Sequence, residues 1–132
     1  MAGELILLVD DNAANLKLAQ VVLELAGFQV RTAVNAEEAL LTLKTQRPDL
    51  ILMDLQLPGI DGLECVRIVK ADPATNLIPI VALTSYAMKG DEEKALKAGC
   101  DGYLTKPIDT RTFADSVASI LKQGNLRAHS DR

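Results

Sequence analysis

Tryptophan is absent from this chain, histidine occurs once, and aromatic residues make up only 3% of it. With so few rings, Leu, Ile, Val and Ala must fill the core. The one histidine, His129, lies in a polar stretch near the end. That excludes a His-rich zinc site and a Ser-His-Asp triad. There are two cysteines, Cys65 and Cys100, at a spacing that fits no metal motif. Two separated thiols in a reducing compartment are expected, with a disulfide as the alternative. Excess positive charge is also missing. The formal net charge is -4, the reverse of the basic surface that displaces counterions from nucleic acid. No apolar run reaches the length that spans a bilayer. Leu5 to Val9 is too short for a signal-peptide core and runs directly into charges. A cytoplasmic protein without direct nucleic-acid or membrane contact is expected.

What is present is a regular alternation. At 132 residues the chain has room for one domain with a real core. Strand-length apolar runs fall near 5–10, 28–33, 49–54, 79–84 and 101–105, and helix-period segments near 13–26, 36–46, 62–71, 89–98 and 110–123. Gly27, Gly99 and Gly124 stand where helix C-terminal glycines belong. Asn35, with Glu38 three residues on, offers an N-cap. Pro48 and Pro79 precede strands, where a missing N–H costs little. Strict alternation of strand and helix implies an α/β fold, a parallel sheet with helices on both faces. The expected division is a domain over 1–124 and a flexible tail over 125–132. Met1 and the short tail favour a free-standing chain, with a fragment of a larger regulator or hybrid kinase as the alternative.

The ends of the apolar runs carry the chemistry. Leu5-Ile6-Leu7-Leu8-Val9 stops at Asp10 and Asp11, and Leu50-Ile51-Leu52-Met53 stops at Asp54. Ile80-Val81-Ala82-Leu83 stops at Thr84, and Tyr103-Leu104-Thr105 at Lys106. Open α/β sheets bind ligands at the carboxyl ends of their strands. Three carboxylates brought together there repel one another unless a cation joins them. All-oxygen donors open to water suit Mg²⁺, with Mn²⁺ as the alternative. A hydroxyl and an ammonium suit phosphoryl oxygens. Asp54 would then be the nucleophile that forms an acyl phosphate. Taken singly, each residue has a plain reading: loop acids beside a helix dipole, a β-branched strand residue, a solvated loop lysine. Their joint occurrence at strand ends is what weighs against it.

With these residues the chain resembles the response-regulator receiver domains. The matching positions are Asp10-Asp11, Asp54 followed by Leu57-Pro58-Gly59 and Asp61-Gly62, Thr84-Ser85, and Lys106-Pro107. They span about Leu5 to Lys122. Asp10-Asp11-Asn12, and Ser85 to Asp91, are most similar to single-domain regulators of the DivK type. The resemblance implies a CheY-like, flavodoxin-like doubly wound sheet of five parallel strands in the order 2-1-3-4-5, with five helices. It implies that Asp54 accepts phosphate from a histidine kinase or histidine phosphotransfer protein, in a two-component phosphorelay. Asp11 and Asp54 would hold Mg²⁺ directly, the backbone carbonyl of Gln56 would add a ligand, and Asp10 would act mainly through water. Thr84 and Lys106 would grip the phosphoryl group. The bond before Pro107 would be cis. Gly59 and Gly62 would allow a tight loop after Asp54.

The resemblance also implies an output. Thr84 and Tyr103 would act as the switch pair. The signal would leave through the fourth helix, fifth strand and fifth helix to an unidentified downstream protein. Gln56 and Tyr86 would tune the lifetime of the phosphorylated state. The first helix carries more apolar residues than one buried stripe needs. Leu16, Ala19, Leu23 and Ala26 make the stripe; Leu18, Val21, Val22 and Leu25 exceed it. Either the buried face is broad, or Leu18 and Val21, with Asn15, dock the phosphate donor. The chain is expected to be a monomer or weak dimer, and a phosphoacceptor rather than an enzyme with a separate substrate.

Three rivals fit less well. A phosphatase of the haloacid-dehalogenase type needs a carboxylate two residues after the nucleophile, where Gln56 stands. A flavodoxin-like carrier wants glycines and hydroxyls after the first strand. A pseudo-receiver usually lacks one of the key residues.

Overall fold

The computed structural model describes residues 3–55, 62–84, 89–106 and 108–130. Five parallel strands form one sheet in the order β2-β1-β3-β4-β5. They are β1 (Leu5–Val9), β2 (Gln29–Ala33), β3 (Leu50–Asp54), β4 (Ile80–Thr84) and β5 (Gly102–Thr105). The helices are α1 (Ala13–Leu25), α2 (Ala36–Thr45), α3 (Gly62–Ala71), α4 (Lys89–Ala98) and α5 (Phe113–Ser130). The architecture is the one expected, five strands and five helices in doubly wound order.

Strand alternation divides the core in two. Leu7, Val9, Ile51, Met53, Ile80 and Ala82 face a cluster that includes residues of α2, α3 and α4. Ile6, Leu8, Leu50, Leu52, Val81 and Leu83 face α1 and α5 through Leu16, Leu23, Phe113 and Val117. Strands covered on both faces read as unbroken apolar runs, which is why β1, β3 and β4 were plain in the sequence. At the sheet edge, β2 alternates instead: Gln29 and Arg31 are exposed.

The chain reverses its direction across the sheet at β1, whose neighbours are β2 and β3. The crevice outside the carboxyl ends at such a point is where a doubly wound sheet takes its ligand.

Local signals behave as their chemistry dictates. The Asn35 side chain accepts from the Glu38 N–H at 2.8 Å and caps α2. Gly27 and Gly99 take φ of 99° and 115°, the left-handed conformation that ends a helix. Gly124 does not serve this way. It lies inside α5, which runs to Ser130 through most of the stretch expected as a tail. A glycine within a helix costs only about 1 kcal/mol. The start of α5 is later than expected, at 113 rather than 110. There the Asp109 carboxylate accepts from the Arg111 N–H at 3.0 Å, and this turn holds the preceding residues out of the helix.

Cys65 and Cys100 are both free and buried on the α3–α4 side. Burial, helped by Glu37, pushes the Cys65 thiol up to about 11. Burial and then Asp101, against a lowering by Lys70, push Cys100 up to about 12. Among the described residues, no helix is long and apolar enough to cross a membrane.

Candidate phosphoacceptor site

Period-two alternation aligns the site before any side chain is considered. Asp10 continues the Ile6–Leu8 row of β1, Asp54 the Leu50–Leu52 row of β3, and Lys106 the row of Leu104 in β5. These rows all belong to the α1–α5 side. Register makes the levels match: Leu8 pairs with Leu52, so Asp10 and Asp54 stand at one height. Across β4, Asp54 pairs with Leu83 and Leu83 with Leu104.

The side chains converge accordingly. Carboxylate oxygens of Asp10, Asp11 and Asp54 lie within 4.8 Å of one another. Asp10 and Asp54 are buried, while Asp11 is exposed. The Lys106 ammonium stands 2.8 Å from Asp10 Oδ2 and 3.1 Å from Asp54 Oδ2, on a side chain only 12% exposed. Burial, the largest single influence on Lys106, pulls its pKa down. Hydrogen bonds and charge from Asp10 and Asp54 together outweigh that, and the net shift is upward. The ammonium is thus a fixed charge at neutral pH. Three carboxylates around one ammonium still leave negative charge in excess.

Two backbone devices hold the site. The Asn12 N–H donates to Asp10 Oδ1 at 2.9 Å, while the Asn12 side chain accepts from the Asn15 N–H and caps α1. Asp10 therefore has one oxygen on Asn12 and the other on Lys106. On the far side, the Lys106 N–H donates to the Thr84 carbonyl at 2.7 Å and ties the ends of β4 and β5 together. Asn12 was missed as a cap in the sequence, although an Asn just before a helical pattern is a strong N-cap signal.

The remaining expected residues fall in different places. Thr84 is buried at the end of β4. By alternation it follows Ala82 on the α3–α4 side, where Ala82 pairs with Tyr103. Tyr103 is half-buried and packs against that same cluster. The two switch candidates thus share a sheet face. On α1, Leu16, Ala19 and Leu23 are buried. Leu18 and Val21 are 45% and 40% exposed and Leu25 is also exposed, while Val22 is half-buried against the core, so the buried face widens by Val22 alone. Asn15 is half-buried. Gln56, Gly59, Tyr86 and the cis bond expected before Pro107 lie outside the described residues.

The donor set fits a hard divalent cation. It is all oxygen, clustered and acidic, with one member open to solvent.

Known proteins similar to this chain are plentiful. The family model of the response regulator receiver domain matches residues 6–118. The polar-differentiation response regulator DivK of Brucella anthropi is 41% identical over 116 residues, 88% of this chain and 94% of that protein. The chemotaxis protein CheY4 of Vibrio cholerae superposes with a TM-score of 0.85 at 28% identity, covering 90% of this chain and 99% of that one. The receiver domain of the sensor histidine kinase PA1611 of Pseudomonas aeruginosa gives a TM-score of 0.80 at 36% identity, covering 92% and 97%. That structure has a magnesium ion coordinated in its active-site cleft. Fold, matched span and identity agree: this chain belongs to the response regulator receiver domains of two-component signalling systems.

Proposed function

We propose that the chain is a switch phosphorylated on Asp54 by a histidine kinase or histidine phosphotransfer protein. The observation that carries this is the convergence of Asp10, Asp11, Asp54 and Lys106 from three strand ends. An Asp54 carboxylate oxygen attacks phosphorus, the P–N bond to the donor histidine breaks, and its electron pair stays with the imidazole. The product is an acyl phosphate. Positioning and charge neutralisation supply most of the rate.

The residues divide the work. Asp54 loses its carboxylate charge on acylation, and Lys106 then pairs with the phosphoryl oxygens at the same place. Asp10, engaged at both oxygens by Asn12 and Lys106, holds the lysine and stands back from direct ligation. Asp11 and Asp54, with the backbone carbonyl of Gln56, would hold Mg²⁺, with Mn²⁺ as the alternative. The ion would neutralise charge on the phosphoryl group. Support comes from the oxygen-only donor set and from the magnesium in the PA1611 receiver domain.

The phosphoryl group carries about two negative charges at the mouth of the sheet, in place of the single charge that Asp54 gives up. Thr84 is drawn toward them, and Tyr103, diagonal to it on the same face, turns inward behind it. The change biases a pre-existing equilibrium and is read by a downstream protein on α4, β5 and α5. Gln56 and Tyr86 set the lifetime. Leu18, Val21 and Asn15 on α1 meet the phosphate donor. The protein is cytoplasmic, a monomer or weak dimer, and acts through protein contacts rather than on DNA. It assists its own phosphorylation and dephosphorylation and has no separate substrate. A second reading, a receiver within a larger kinase, is favoured by the likeness to the PA1611 domain.

Incubation with acetyl phosphate tests the proposal. With Mg²⁺, intact mass gains one phosphoryl group, and Asp54→Ala gains none. No gain in the native chain overturns it.

A further inference from the structure

Gly62 is the first residue of α3. A Cβ at Gly62 would overlap the backbone oxygen of Asp54 and would lie 2.7 Å from the Cα of Leu55. The glycine is not there for a left-handed conformation, since Gly3, Gly27 and Gly99 are the positive-φ glycines among the described residues. Space alone requires it. Other crowded glycines differ in what they meet. At Gly102 the nearest atom is the tip of Ile120, at 3.1 Å, and at Gly99 it is the stem of Lys70, at 2.9 Å. Side-chain ends can turn aside. The backbone of Asp54 can do so only by disturbing the sheet, because Asp54 pairs with Leu83 and the next N–H, of Leu55, donates to the Leu83 carbonyl at 3.1 Å. Nor is α3 free to retreat. Cys65, Val66 and Val69 are fully packed in the core.

We propose that Gly62 is a positioning residue for the Asp54 carboxylate. Its missing side chain lets α3 seat on the terminal peptide of β3 and fix the direction in which Asp54 leaves the strand. A methyl group there must turn that peptide, because helix and strand are both held. The carboxylate then moves relative to Lys106, now 3.1 Å away, and to Asp10 and Asp11. The role rests on the reading of Asp54 as phosphoacceptor.

The test compares Gly62→Ala with Gly102→Ala, a crowded glycine whose nearest neighbour atom is a movable side-chain tip. Each is assayed well below its Tm, with folding checked by circular dichroism. Gly62→Ala labels with acetyl phosphate about tenfold to a hundredfold more slowly than the native chain. Its Asp54 ¹³Cγ resonance, recorded without metal, is displaced. Gly102→Ala keeps the native rate and resonance. If Gly62→Ala is unfolded, both measurements are made in trimethylamine N-oxide, which favours the compact state. A variant that stays unfolded there marks Gly62 as a folding residue and overturns the positioning role. Native rate and an unmoved resonance in Gly62→Ala overturn it as well, and so do equal losses in the two variants. A native chain that takes no label instead overturns the phosphoacceptor reading, whatever the resonance shows.

Discussion

The ammonium of Lys106 lies 2.8 Å from Oδ2 of Asp10, although two strands, β3 and β4, separate β5 from β1 in the sheet. The same ammonium lies 3.1 Å from Oδ2 of Asp54. Removing the lysine leaves two buried carboxylates facing each other. Lys106→Met should therefore lose about 3 kcal/mol of stability at neutral pH. Added Mg²⁺ should restore part of it, through the same acids. Chemical denaturation with and without the ion measures both effects. A variant as stable as the native chain would mean the pair contributes nothing.

Metal binding should be visible as stability. A ligand that binds only the folded state adds about 1.4 kcal/mol at ten times its Kd. For a domain of this size that is a rise in Tm of roughly 5 °C. Thermal scans across a Mg²⁺ series should show it, and Asp11→Asn with Asp54→Asn should abolish it. An equal rise in that double variant would place the ion elsewhere.

The two thiols give the pH dependence. Burial pushes Cys65 up to about 11 and Cys100 up to about 12. A thiol held protonated by folding contributes stability that is complete below its unfolded value of about 8.5. That contribution fades as pH rises through the folded value. The native chain should thus weaken more steeply between about pH 9 and 12 than Cys65→Ala with Cys100→Ala. Iodoacetamide at pH 8 should leave both thiols unmodified until denaturant is added. Rapid alkylation of the folded chain would contradict their burial.

Input and output surfaces should separate. Leu18 and Val21 are substantially exposed, so Leu18→Lys with Val21→Lys should shift stability by less than about 0.5 kcal/mol. The double variant should slow phosphotransfer from the cognate donor and leave acetyl-phosphate labelling unchanged. Tyr103→Ala should do the reverse: normal labelling, and partner affinity no longer responsive to phosphate. Phosphotransfer kinetics and a partner pull-down on both variants test the split. Unchanged transfer by the α1 variant would remove the docking role, and a full phosphate response in Tyr103→Ala would remove the switch role.

The site was legible because strands buried on both faces read as apolar runs that end where the ligand crevice begins. Asp10, Asp54 and Thr84 each mark such an end; Asp10 and Asp54 are level through the parallel pairing of β1 with β3, and Thr84 stands one residue beyond Leu83, the partner of Asp54. Other features depend on distant placement. That Lys106 pairs with Asp10 requires knowing that β5 reaches across to β1. That Gly62 meets the backbone of Asp54 requires knowing where α3 lands. Leu18 and Val21 could be core or surface until the packing of α1 was known. Gly124 read as a helix stop because glycine favours that role, yet the residues beyond it continue α5.

The central claim is that the phosphoryl group sits on the carboxylate of Asp54, and chemical trapping tests it most directly. Acetyl phosphate with Mg²⁺, followed by borohydride, reduces an acyl phosphate to the corresponding alcohol, so an aspartyl phosphate becomes homoserine. Peptide sequencing should find homoserine at position 54 and aspartate retained at 10 and 11. Homoserine at either of those positions, or a borohydride-stable phosphate on Thr84, would contradict the account.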